Sequence, residues 1–413
     1  MACSVTIRRA RLVLPRRVVT GDIVVDDGVI TDISPRAVRT TGEVIDAEGL
    51  VALPGLVDTQ VRLDALESVT EAADPLLAGG ITSMVALRQA SNAAQLDAEL
   101  RALGEVSPIH YGLYVRVDDG ARSALQAQRA RGIWVGPEQL FDPAIEEVFA
   151  AATSVVVVAH HDPARSRDRW HLFDEPLTPS DLGRVFDIDT CLAGTRRALA
   201  LAQRHGTRTH LRHVSTAEEL QLLPLPERVS ASVLPAHLFS TDDAYERLGT
   251  LGVHHPPLRS RRHQDAAWAA LRQGSVMSAS GHWPVGSTNK RGPLPTVHPG
   301  WPTAEWWLPL LLDAVNDGAC SLRDVVHATS EGPAEMLGLR RKGRLETGYD
   351  GDIVLVDMDA IHTIGASAPI RTAAGWSPWT GRTLRGWPVR TLVSGTTVWH
   401  RGERFGSRGR ELS

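Results

Sequence analysis

Lysine is almost missing from this chain of 413 residues: of its 44 basic side chains only Lys290 and Lys342 are lysines, the rest being arginine. A GC-rich genome that favours arginine codons accounts for the imbalance, and lysine-dependent chemistry has two candidate positions. Cysteine is scarce as well. Cys3, Cys191 and Cys320 show no metal-site spacing and are odd in number, which excludes a disulfide framework and suits a reducing, cytoplasmic compartment. No apolar run approaches the roughly 18 residues of a membrane span, and the opening MACSVTIRRARLVLPRRVV has no apolar core of signal length. An excess of positive charge is missing too: 44 basic against 48 acidic residues give a net charge of −4, without the electrostatic footprint of a nucleic-acid binder. With 43% hydrophobic and 22% charged residues the chain has ample material for a large core. A soluble cytoplasmic protein that binds neither nucleic acid nor membrane is expected.

What is present is a rhythm of strands and helices. SVTIRRARLVL and GDIVVDDGVITDI near the start read as short strands, with Asp26-Asp27-Gly28 placed as a hairpin turn. The last sixty or so residues read alike, with DIVLVD and RTLVSGTTVWHRGE turning at Ser394-Gly395. Residues 1–52 and 345–413 are therefore expected to build one composite β-sandwich from both chain ends. Between them, residues 53–344 alternate short apolar runs (GLVDTQV, GITSMVAL, HYGLYVRV, RGIWV, SVVVVAH, TRTHLRHV, RVSASVL, SVMSAS) with amphipathic stretches such as AAQLDAELRAL, TRRALALAQRHG and DAAWAALRQG. Eight such alternations predict an α/β protein with a (β/α)8 barrel, whose chemistry belongs at the C-terminal strand ends. Asp162 to Leu182, polar and arginine-rich, is too long for an ordinary connection and reads as a lid or a solvated excursion.

The strand ends carry a resemblance. LPGLVDTQVRL (Leu53 to Leu63), RALALAQRHGTRTHLRHVSTAEEL (Arg197 to Leu220), ASGHWPVG (Ala279 to Gly286), GPAEMLGL (Gly332 to Leu339) and SPWTGRTLRGWPVRTLVSG (Ser377 to Gly395) follow in the order found in the cyclic amidohydrolases. The chain resembles the dihydroorotase, hydantoinase and allantoinase branch over nearly its whole length. Such a resemblance implies a two-metal site: a His-x-His pair on the first strand, a carboxylated lysine on the fourth, histidines on the fifth and sixth and an aspartate on the eighth. The metals would lower the pKa of a bridging water from about 16 to near neutrality.

At the positions this resemblance assigns to metal ligands the residue types are wrong. Gln60 and Arg62 stand for the His-x-His pair, and a permanent cation repels a divalent ion. The lysine position falls on Trp134, the fifth-strand ligand on Ala159 with His160 one residue away, and the eighth-strand aspartate on Gly281. His213 alone matches. The carboxylate-gripping arginine is replaced by Asp64, and the asparagine after the second strand by Gln89. No cofactor is expected, and dihydroorotase activity is not expected.

His160, His161, His213, His237, His255 and His282 fall at or just after strand ends and can act as acid-base groups. Ordinary hydrogen-bonded histidines of a polar cavity are the plainer reading. A single zinc held by His160, His213 and His237, with Asp162 nearby, is an alternative. Gln60, Arg62, Asp64, Gln89 and Trp283 are candidate substrate contacts, and His213, His237, His255, His282 and Asp162 candidate catalytic groups. Trp301, Trp306 and Trp307 read as packing, and Arg165, Arg167 and Arg169 as a solvated face.

Two function classes follow. One is a dihydroorotase-like protein without the binuclear centre, kept as a structural partner of a pyrimidine-pathway enzyme such as aspartate carbamoyltransferase. The other is a repurposed enzyme that opens or closes a cyclic amide, or performs a related condensation, on a small molecule held in the barrel mouth. In either class the resemblance implies a homo-oligomer.

Overall fold

Four consecutive valines, Val155 to Val158, are all buried, because a strand in a parallel sheet is covered on both faces and its side chains need not alternate in polarity. The computed structural model describes residues 4–35, 42–63, 69–88, 90–118, 120–173, 176–222, 227–406 and 408–413. The chain begins with β1 (Ser4–Val13), β2 (Val18–Asp26), β3 (Val29–Ser34), β4 (Glu43–Asp46) and β5 (Val51–Pro54). Asp27 and Gly28 take φ of 49° and 80°, the left-handed pair of a two-residue hairpin, so β2 turns onto β3 in antiparallel register.

Eight parallel strands follow: β6 (Leu56–Arg62), β7 (Ile81–Leu87), β8 (His110–Arg116), β9 (Gly132–Val135), β10 (Val155–Ala159), β11 (Thr209–Arg212), β12 (Val229–Val233) and β13 (Met277–Ser278). They neighbour one another in sequence order across the whole sheet and coincide with the eight apolar runs of the sequence. The first and last are tied together: the Arg62 N–H donates to the His282 carbonyl at 2.8 Å. Asp58, wholly buried, accepts from the Ser280 N–H at 3.2 Å and from the Ser280 hydroxyl. Amphipathic helices connect the strands. Ala93–Val106 starts where the Asn92 side chain accepts from the Gln95 N–H at 3.1 Å, and Ile188–His205 ends at Gly206 with φ 65°.

The chain returns to the first sheet through β14 (Ile353–Thr363), β15 (Thr383–Val393), β16 (Thr396–His400) and β17 (Glu403–Arg404). β14 pairs antiparallel with β5, joining both chain ends in one continuous nine-stranded sheet around an apolar core that includes Ile7, Leu12, Ile23, Leu355 and Leu392. Ser394 and Gly395, at φ 47° and 74°, form a second tight hairpin.

Trp301, Trp306 and Trp307 are fully buried. The first two share an apolar cluster with Trp376, Trp379 and Trp387, so Trp306 and Trp307 are packing residues, while Trp301 packs and also borders the cavity at the strand ends. The long connection after β10 is ordered in its described part: Trp170, Phe173 and Phe186 pack with Leu177 and Leu182 on Val253, Leu294 and Val297. Arg165 and Arg169 there pair with Asp187 at 2.8 and 3.1 Å, so they are anchored by carboxylates, while Arg167 is exposed. Among the described residues no helix is long and apolar enough to cross a membrane.

Candidate functional site

At the C-terminal ends of the barrel strands a cavity of about 270 Å³ is lined by residues from most of the sheet. β6 supplies Gln60 and Arg62, β8 Tyr114, β9 Trp134, and the end of β11 Arg212 and His213. His161, His254, His255, His282 and Trp283 come from the loops. None of the described lining residues is an aspartate or glutamate. The floor is polar. The Gln60 amide donates to the Ser232 hydroxyl at 2.8 Å, which lies 3.0 Å from His210 Nε2, and His210 Nδ1 lies 2.9 Å from the Ser230 hydroxyl.

Arg212 dominates the wall. Its guanidinium stacks 4.0 Å from the Trp134 ring centroid and donates to His213 Nε2 at 2.8 Å through Nη2 and at 3.3 Å through Nε. Burial, with the Arg62 charge second, lowers its pKa to about 9, which leaves it charged at neutral pH. Arg62 stacks likewise on Trp283, 3.7 Å from the ring centroid. Both contacts hold a cation on an aromatic face.

Five histidines around these arginines favour the neutral form. Burial brings His161 and His237 to about 4 and His254 to about 3, and holds His213 and His255 well below the usual imidazole range, with neighbouring cations and histidines adding to the effect. His255 Nε2 lies 3.3 Å from His161 Nδ1, and Phe186 packs edge-on against both rings. His282 Nδ1 accepts from the Thr303 and Ala304 N–H groups at 3.1 and 3.2 Å, which places its ring proton on Nε2.

Of the candidate residues singled out in the sequence, Gln60, Arg62, His161, His213, His255, His282 and Trp283 line the cavity. Three others do not. Asp162 caps the helix Pro163–Trp170, accepting from the Ala164 and Arg165 N–H groups at 3.0 Å each, because proline at the first helical position leaves the preceding aspartate at the cap. His160 is not among the lining residues and has its Nε2 2.8 Å from Glu219. His237 Nε2 contacts the Pro256 and Pro257 carbonyls at 3.3 and 3.2 Å. Asp64 and Gln89 lie outside the described residues. Arg212 and His254 escaped the sequence reading. Arg212 is one arginine among many, and its own segment does not mark its role.

The donor set does not fit the implied metals. The one matching ligand, His213, turns its Nε2 to the Arg212 guanidinium, and two guanidinium groups line the space a divalent pair would need. Among the described residues no three of His, Cys, Asp and Glu are grouped to hold a metal ion, and His160, His213 and His237 are each engaged elsewhere.

Residues 303–398 match the Amidohydrolase family. The dihydroorotase of Thermococcus kodakarensis is 30% identical over 408 residues, covering 94% of this chain and 93% of that protein. The dihydroorotase of Pyrococcus abyssi is 30% identical over 415 residues, covering 96% and 95%. Among solved structures, the L-hydantoinase (dihydropyrimidinase) of Arthrobacter aurescens superposes with a TM-score of 0.92 over 100% of both chains, at 24% identity. With this coverage, motif order and barrel architecture, the chain belongs to the dihydroorotase-like branch of the amidohydrolase superfamily.

Proposed function

We propose that this protein has exchanged the family's binuclear metal site for a metal-independent small-molecule pocket, and that it does not turn over dihydroorotate. The observation that carries this reading is the contact between Arg212 and His213. The Arg212 guanidinium lies against the His213 ring, 2.8 Å from Nε2 and 3.2 Å from Nδ1, and its charge opposes a divalent cation at that histidine. Without a metal to lower the pKa of water, its activation would fall to the imidazoles among the described lining residues.

The open cavity favours a working pocket over an idle scaffold. An unused barrel mouth loses nothing by filling with apolar side chains, whereas here Gln60, Arg62, Arg212 and five histidines line the space. Neutral imidazoles such as His255 and His161 can pass a proton to or from a bound molecule, and His282 presents Nε2–H as a donor. These groups suit ring opening, ring closure or condensation by proton transfer on a small molecule. The test is dihydroorotate hydrolysis by the purified protein, with and without added zinc. Turnover near that of a metal-loaded dihydroorotase overturns the reading, and its absence in both conditions supports it.

A further inference from the structure

We infer that the barrel-mouth cavity binds a small organic acid, its carboxylate paired with the Arg212 guanidinium and a hydrogen-bond donor on its body paired with the Gln60 side-chain oxygen. The inference deepens the metal-independent reading and rests on it.

Arg212 is held at the cavity wall by contacts that leave its charge uncompensated. Its partners are the Trp134 face and the His213 ring, and no carboxylate pairs with it among the described residues. A part-buried guanidinium without a counter-ion is an unfavourable arrangement that an anionic ligand relieves. The Trp134 ring backs the guanidinium, and Nε and Nη2 are turned to His213, so a carboxylate approaches along the remaining N–H edge in a charge-assisted pair. Arg62 lines the same cavity and adds positive potential there.

Gln60 supplies the second point of recognition. It is only 6% exposed, its Nε2 is committed to Ser232, and its Oε1 has no hydrogen-bond partner among the described residues. The chain through Ser232, His210 and Ser230 orients the amide. A buried acceptor left over in a ligand-sized cavity calls for a donor from the ligand. At about 270 Å³ the space lies below the roughly 300–1,000 Å³ of drug-sized sites, which sets the ligand at the scale of a small metabolite. Val61, Leu87 and Tyr114 line the cavity beside these groups and offer apolar surface to the ligand body.

The experiment is calorimetric titration of the purified full-length protein with benzoate and benzamide, and with 2-, 3- and 4-hydroxybenzoate against their methoxy counterparts. Benzoate is expected to bind about tenfold or more tighter than benzamide, and at least one hydroxybenzoate about fivefold tighter than its methoxy form. Arg212→Met should remove the preference for acid over amide. Gln60→Met should remove the preference for hydroxyl over methoxy and keep that for the acid. Equal affinity for benzoate and benzamide, no hydroxyl preference in any isomer, or an undiminished acid preference in a folded Arg212→Met protein overturns the inference. If either variant fails to fold, the wild-type comparisons still decide. Failure here is distinct from failure of the broader reading: dihydroorotate turnover with bound zinc sinks the metal-independent site, whereas missing acid selectivity in a metal-free protein sinks the ligand assignment alone.

Discussion

Nε2 of His213 accepts from the Arg212 guanidinium at 2.8 Å, and Arg212 in turn lies over the Trp134 ring, 4.0 Å from its centroid. Trp134 stands where the family resemblance places a metal-bridging lysine, and His213 where it places a metal-bound histidine. The two family positions are thus joined through an arginine, and the barrel mouth becomes a cationic, aromatic cavity.

Stability should fall steeply in mild acid. His161, His210, His237 and His254 have folded pKa values of about 4, 3, 4 and 3, lowered first by burial, against 6.5 when unfolded. Below pH 6.5 the unfolded chain binds protons that the folded chain refuses, so stability present above that pH is lost as pH drops toward 4. Each group contributes on the order of 1 kcal/mol per pH unit in that window. Denaturant midpoints measured from pH 7.5 to 5 should fall continuously. A flat profile contradicts the neutral cluster.

Glu219 should be a structural keystone behind the cavity. Its carboxylate receives His160 at 2.8 Å, the Thr195 hydroxyl at 2.9 Å, the Thr216 hydroxyl at 2.8 Å and the Ser215 and Thr216 N–H groups at 3.2 and 3.0 Å. Burial pushes its pKa up, but these donors outweigh burial and hold it at about 2. Because that lies below the unfolded value, the stabilisation is full above about pH 4.5 and fades as pH falls toward 2. Glu219→Gln replaces one acceptor oxygen by a donor amide and should cost about 3 kcal/mol in urea unfolding. A loss under about 1 kcal/mol would count against the account.

Lys290, one of the two lysines, clamps the far wall. It is wholly buried, and its ammonium donates to the carbonyls of Val253 at 2.6 Å, His298 at 2.8 Å and Gly300 at 3.2 Å. Lys290→Met orphans these carbonyls and should cost about 2–3 kcal/mol, read as a lowered denaturant midpoint. Burial lowers the folded pKa to about 7, below the unfolded value. The unfolded chain therefore holds the extra proton between about pH 7 and 10.5, and this residue's contribution to stability rises with pH across that window. In the methionine variant that rise should vanish.

The barrel was legible because strands buried on both faces leave continuous apolar runs such as Val155–Val158, and the terminal hairpins because Asp27-Gly28 and Ser394-Gly395 need left-handed backbone. His213 was legible from its motif. Arg212 was not, since its meaning depends on Trp134, which reaches it through strand order rather than sequence proximity. Asp162 was misplaced in the pocket although the Asp-Pro pair at a helix start already marked it as a cap. His160 and His237 share the strand-end pattern of the cavity histidines, and only packing separates them: one meets Glu219, the other two carbonyls.

The central claim, that guanidinium groups have taken over the ground of the metals, is tested most directly by counting metal in protein produced and purified with zinc present. Elemental analysis of the folded chain should give well below about 0.2 zinc per chain, and Arg212→Ala, which frees His213, should bind no more than about one. About two zinc ions per wild-type chain, retained through desalting, would contradict the account.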